Sequence, residues 1–231
     1  MKQFLYIANW KMYFTHNQTL NWLKKNHQEL IDITQHNKLI LCPSYESLAA
    51  VHTYAQNINI IVSAQDCSEY LPGAHTGQVS AQSLAEIGCT YCIVGHSEQR
   101  KYTDINMITQ KIIRLFEQNI IPIYCINSPS KELLSPILIT LEKYPQKSII
   151  IAYEPDEAIG TGKTSTNKQI ESIIDNINQE LPKDEFSYSI IYGGSVSSST
   201  IKQLKMIDFL DGFLIGKAST ELKELKLIIE S

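Results

Sequence analysis

The sequence predicts an α/β protein whose eight strands close into a single (β/α)8 barrel. Three observations support this. Short apolar runs alternate with longer amphipathic ones from end to end, and no linker, repeat or low-complexity stretch interrupts them. Most of the short runs are apolar on both faces, as parallel strands covered by helices must be. The length, 231 residues with 43% hydrophobic content, suffices to bury a sizeable core and close the sheet as one domain spanning residues 1–231.

The strands are expected at residues 4–8, 38–42, 58–64, 91–94, 120–125, 148–152, 188–192 and 212–215. Between them, helical periodicity is expected over residues 18–33, 103–118, 131–143, 168–180 and 221–229. Thr103-Asp104, Ser130 and Ser165-Thr166 supply side-chain oxygens suited to capping helix starts. A doubly wound open sheet is the alternative. It would usually carry a G-x-G-x-x-G turn after the first strand, where this chain has Asn9-Trp10-Lys11-Met12.

Net charge is −4 and the pI about 5.9, with both signs interspersed. That argues against a nucleic-acid surface but not against a small anionic substrate, which needs only local positive charge. The N-terminus runs directly into a short apolar strand, so no signal peptide is expected. No apolar run is long enough to span a bilayer, so neither a membrane partner nor any location but the cytoplasm is expected. Cys42, Cys92 and Cys125 lie in or beside strand-like runs and read as reduced core thiols. Cys89 and Cys92 form a C-x-x-C, but it leads into a strand and no second pair completes a metal site.

In such a barrel the C-terminal strand ends share one face, where active sites are built. Polar residues gather at those ends: Asn9 and Lys11, Gln65, His96 with Ser97 and Glu98, Glu154, Gly193-Gly194-Ser195, and Gly216-Lys217. Individually each reads as a loop or structural residue. Together they place a carboxylate base, an imidazole, an ammonium and two glycine-rich turns on one rim. Glu154 ends a buried apolar run and is followed by Pro155 and a loop with glycines at 160 and 162, the layout of a base beside a closable lid. Residues 160–164, GTGKT, imitate the end of a nucleotide-binding loop, but that motif needs glycine where Glu157 stands.

Seven blocks in order are similar to the triosephosphate isomerase family: Asn9-Trp10-Lys11-Met12, Gly73-Ala74-His75-Thr76-Gly77, Val94-Gly95-His96-Ser97-Glu98, Ala152-Tyr153-Glu154-Pro155, and residues 158–164, 192–196 and 211–216. The resemblance implies interconversion of dihydroxyacetone phosphate and glyceraldehyde 3-phosphate on a TIM barrel, without metal or organic cofactor. It implies Glu154 as base, a neutral His96 polarising the carbonyl oxygens, and Lys11 supplying positive charge. Asn9 would position the substrate and Glu98 would orient Lys11. Backbone N–H groups at Gly160, Ser195, Gly216 and Lys217 would hold phosphate, while Tyr192 and Ser195 would latch the closed lid. The loop bearing Thr76 would insert into the neighbouring subunit of a homodimer. A barrel that merely binds a phosphorylated metabolite is the alternative, against which the retained base argues.

The chain departs from that family at four places. The lid's first hinge reads Pro155-Asp156-Glu157, where the family usually has a tryptophan, and Ser128 replaces the glutamate that contacts it. Both halves of one contact are replaced together, so Glu157 is expected to find another partner when the lid is open. Gln78 and Gln99 replace a charged pair that crosses the dimer. Lys217 replaces a glycine at the phosphate site, either as a solvent-pointing side chain or as added attraction for phosphate.

Overall fold

Successive side chains of a strand point to opposite faces, and here the two faces enter two different cores. The computed structural model describes residues 2–158, 164–181 and 185–231. Its strands are β1 (Leu5–Asn9), β2 (Lys38–Cys42), β3 (Ile61–Ala64), β4 (Tyr91–Val94), β5 (Ile121–Ile126), β6 (Ser148–Tyr153), β7 (Ser187–Tyr192) and β8 (Gly212–Ile215). All pair in parallel, each with its neighbours in sequence, and β8 pairs with β1 to close the barrel. The expected α/β barrel is therefore the observed fold.

One set of alternate positions fills the barrel: Ile7, Ile40, Ile93, Ile123, Ile150, Ile191 and Leu214, with Cys42, Cys125 and Ala152 above them. The other set, including Tyr6, Leu39, Leu41, Val94, Ile126, Ile151 and Phe213, packs outward against helix residues such as Leu23, Leu30, Ile112, Leu134 and Ile170. Each such side chain contributes about 1.5–3 kcal/mol when fully buried, and the doubly covered strands leave no open sheet edge. The same alternation aims the site. On β6 the inward series Ile150, Ala152 continues to Glu154, and on β1 the inward residue Ile7 is followed two positions later by Asn9.

The helices explain how the rim loops are held. Thr15 and Gln18 form a reciprocal capping box at the start of helix His16–Lys25. Asp104, Ser130 and Thr166 cap the helices that follow them, accepting from Met107, Leu133 and Gln169 N–H at 2.8, 3.3 and 3.4 Å. Two expectations are corrected. The helix expected over residues 18–33 is two helices, His16–Lys25 and His27–His36, because Asn26 at φ −106°, ψ 17° leaves the helical path. The third strand starts at Ile61, not at 58, because Asn59 at φ 52° breaks the extended backbone. Ile58 and Ile60 are still buried, which is why they read as strand.

All five cysteines are reduced and buried. Burial pushes the Cys42 thiol up to about 12, away from the ionised form that reacts. Among the described residues, no helix is long and apolar enough to cross a membrane.

Candidate active site

A cavity of about 430 Å³ opens at the C-terminal ends of the strands. Its wall includes Asn9, Lys11, His96, Glu98, Glu154, Ser195, Gly216 and Lys217, so most rim residues expected from the sequence meet there, whereas Gln65, Ser97 and Gly194 do not line it. Leu214, the inward residue of β8, also faces it.

Glu154 is 3% exposed, and its backbone N–H donates to the Ile126 carbonyl at 2.8 Å, which fixes the end of β6 against β5. Its Oε1 lies 3.2 Å from Nε2 of His96, while Oε2 is buried with no hydrogen-bond partner. A buried carboxylate oxygen short of partners is costly; the Cys125 thiol interacts with this side chain, and Glu154 also lines the cavity wall. Gly193 makes this placement feasible, since a Cβ there would lie 2.8 Å from the Glu154 Cγ.

His96 is the N-cap of the one-turn helix Ser97–Arg100, and its Nδ1 accepts from the Glu98 N–H at 3.2 Å. A backbone N–H can only donate, so Nδ1 carries no proton and the ring is the neutral Nε2–H form. Nε2 is therefore the donor, aimed at Glu154 and the cavity.

Lys11 adopts φ 47°, a left-handed conformation costing of the order of 1–3 kcal/mol for a residue with a side chain. Side chains hold it on both sides. Its N–H donates to Asn9 Oδ1 at 3.1 Å, and its carbonyl accepts from Gln65 Nε2 at 2.8 Å. The same Gln65 nitrogen donates to the Cys42 carbonyl at 2.9 Å, tying the ends of β1, β2 and β3 together. The ammonium of Lys11 pairs with Glu98 Oε1 at 2.7 Å. Glu98 thus serves both partners, through its backbone to His96 and through its carboxylate to Lys11.

On the opposite side, the Tyr192 hydroxyl accepts from the Ser165 N–H at 3.0 Å, and the Ser195 hydroxyl donates to the Ala158 carbonyl. Two points of the loop after β6 are thereby pinned, one to the end of β7 and one to the loop that follows it. Gly160, Gly162 and Lys163 lie outside the described residues, so the expected phosphate contact at Gly160 lies there too. Lys217 is exposed at the cavity wall. Thr76, with the whole stretch 70–78, is exposed and away from this cavity.

Two contributors, Asn127 and Arg100, are not among the candidate residues of the sequence, and for a third, Gln65, the sequence gives no partner. Gln65 was visible as a strand-end amide, but nothing in its own neighbourhood announced the Lys11 carbonyl as its partner. Asn127 and Arg100 gather around Asp156 near the base, with Asn127 Nδ2 donating to Asp156 Oδ2 at 2.6 Å and Arg100 Nη1 at 3.7 Å from Oδ1. The unusual acid in the hinge was the available signal.

The family model described as triosephosphate isomerase matches residues 4–231 of this chain. Triosephosphate isomerase from Wolbachia sp. subsp. Brugia malayi is 36% identical over 98% of this chain and 97% of that protein. The enzyme from Clostridium botulinum (strain Okra / Type B1) is 34% identical, over 99% of both chains. That from Thermus thermophilus is 32% identical, over 99% of this chain and 98% of its own length. The barrel closes in strand order, a carboxylate, an imidazole and an ammonium meet on its rim, and the similarity runs along nearly the full length; the chain belongs to the triosephosphate isomerase family.

Proposed function

We propose that Glu154, His96 and Lys11 perform the aldose–ketose isomerisation of the family in this chain, interconverting dihydroxyacetone phosphate and glyceraldehyde 3-phosphate. The Glu154 carboxylate takes the proton from the carbon beside the carbonyl, and the C–H electron pair moves onto the carbonyl oxygen to give an enediolate. His96 Nε2–H donates to the oxygens as their charge develops, and the Lys11 ammonium adds fixed positive charge. Glu154 then returns the proton to the adjacent carbon, while the hydroxyl proton of the first carbon passes through His96 Nε2 to the former carbonyl oxygen, so that the carbonyl re-forms on the first carbon and Glu154 and His96 end as they began. A neutral imidazole suits this role because its N–H is available throughout, and a single well-placed donor to a developing oxyanion contributes about 3–4 kcal/mol. Asn9 positions the substrate, and backbone N–H groups at Gly160, Ser195, Gly216 and Lys217 hold the phosphate. Closure over the site excludes water and restrains an intermediate that would otherwise expel phosphate.

The observation that carries this reading is the pairing of Glu154 Oε1 with His96 Nε2 at 3.2 Å in the wall of the cavity. Pure phosphate binding would need no buried base there. The decisive measurement is coupled-assay turnover of glyceraldehyde 3-phosphate by wild type and Glu154→Gln. The substitution is expected to lower kcat by about 10²- to 10⁴-fold, the range general-base catalysis supplies. Equal rates would overturn the assignment.

The proposal extends to the assembly and its setting. Exposed Met12, Tyr13, Tyr45, Tyr70, Leu71 and Tyr102 belong to the loops after β1 to β4, the half of the rim that also bears Thr76. A second copy of the chain covers this apolar surface in a two-fold homodimer. Five buried reduced thiols suit a reducing, cytoplasmic setting.

A further inference from the structure

Asp156 stands two residues after the base and opens the short 3-10 turn Asp156–Ala158. Its two carboxylate oxygens go to different strand ends. Oδ2 accepts from Asn127 Nδ2 at 2.6 Å, just beyond β5, and Oδ1 lies 3.7 Å from Arg100 Nη1, beyond β4. Arg100 is the last residue of the one-turn helix that His96 caps, so His96 and Arg100 are the two ends of one rigid unit. Among the described residues, Asp156 is the carboxylate within 4 Å of Arg100, whose Nη2 is buried without a hydrogen-bond partner. On the other side the same turn is held by Ser195, whose hydroxyl donates to the Ala158 carbonyl.

From this geometry we infer that Asp156, Asn127 and Arg100 form a polar hinge clamp that sets the distance between the base and the electrophile. The inference rests on the catalytic roles proposed above for Glu154 and His96. The clamp ties the loop carrying Glu154 to the helix carrying His96 through the end of β5. Asn127 supplies most of the restraint: the Asp156 side chain is 65% exposed, and an exposed ion pair at 3.7 Å is largely screened. None of the three side chains lines the substrate cavity, so they act as positioning residues. In this chain the first hinge of the lid is therefore held by a hydrogen-bonded carboxylate.

A two-residue cycle tests this, with Asp156→Ala, Asn127→Ala and the double variant assayed for both triose phosphates. Each single change is expected to lower kcat by about tenfold, and by no more than the roughly 10²-fold that a 1 Å misplacement costs. KM should stay within about twofold, because the phosphate-binding loops are untouched. The fraction of turnovers that release inorganic phosphate should rise, and the double variant should be no worse than the poorer single. Asp156→Asn, which keeps an acceptor for Asn127, should lose less than Asp156→Ala and covers the case in which the alanine variant folds poorly. Relaxation dispersion gives a readout independent of turnover: the amides of Glu154, Glu157 and Ala158 should gain exchange in Asp156→Ala relative to wild type. Additive losses, a rise in KM with unchanged kcat, or wild-type rates and relaxation in Asp156→Ala would overturn the clamp. Wild type inactive on both substrates, with the exchange change present, would instead overturn the catalytic reading and leave the clamp standing.

Discussion

Lys11 and Lys217 show how the same side chain does different work according to its neighbours. The Lys11 ammonium is neutralised in part by Glu98 at 2.7 Å, and its aliphatic stem approaches Gly216, where an added Cβ would sit 3.6 Å from Lys11 Cε. Lys217, next along the chain, is exposed at the wall of the same cavity. A solvent-exposed charge contributes about 0.2–1 kcal/mol to a nearby ion pair, and salt screens it. Lys217→Gly is therefore expected to raise KM by about two- to fivefold at low ionic strength with kcat unchanged, and the difference should vanish at about 1 M salt. An equal KM in steady-state assays at low salt would show that only the backbone of residue 217 serves the phosphate. Glu154, His96 and Lys11 could be picked out as candidates at this scale because each lies within three residues of the end of an apolar run, while their proposed roles came from the family resemblance. Gln65 was not, because its partners, Lys11 and Cys42, are 54 and 23 residues away in sequence.

The elements that matter most are short: one-turn pieces and loops whose geometry depends on close backbone approach. Gly194 is an example. A Cβ there would lie 2.5 Å from the Tyr192 hydroxyl and 2.9 Å from the Ala158 Cβ, so any side chain must displace the groups that pin the loop after β6. Gly194→Ala is expected to lower kcat/KM by about tenfold or more, with thermal unfolding changed little, since the strand before it keeps its pairing. Coupled assays beside circular-dichroism melts would check this, and unchanged kcat/KM would mean that the latch is not needed. Long elements were read well from periodicity, and their caps at Asp104, Ser130 and Thr166 were read from residue type alone. The misread boundaries have one cause. Asn26 and Asn59 each depart from the local backbone pattern, and asparagine tolerates such conformations without requiring them.

For the whole molecule, closure of the barrel brings residues spread from Asn9 to Lys217 onto one rim, and it leaves an apolar half-rim exposed. The proposed homodimer covers that half. Gln78 and Gln99 are both exposed and uncharged, so the association should depend little on salt. Sedimentation equilibrium is expected to give a dimer at micromolar concentration with a dissociation constant changing less than about threefold between low and physiological salt. A monomer under those conditions would sink the proposal.

The sequence by itself determined the fold, because strand periodicity and two-sided burial are written locally in each apolar run. It also brought candidate groups to the strand ends, a carboxylate, an imidazole and an ammonium, whose chemistry the resemblance of seven ordered blocks to the triosephosphate isomerase family then implied. Only the tertiary structure decided how those groups are held. The tautomer of His96 depends on a backbone N–H, the pose of Lys11 on Gln65, and the hinge beside Glu154 on Asn127 and Arg100. These contacts join strand ends that are distant in sequence, and their partners are set by barrel closure and register, which no local pattern encodes.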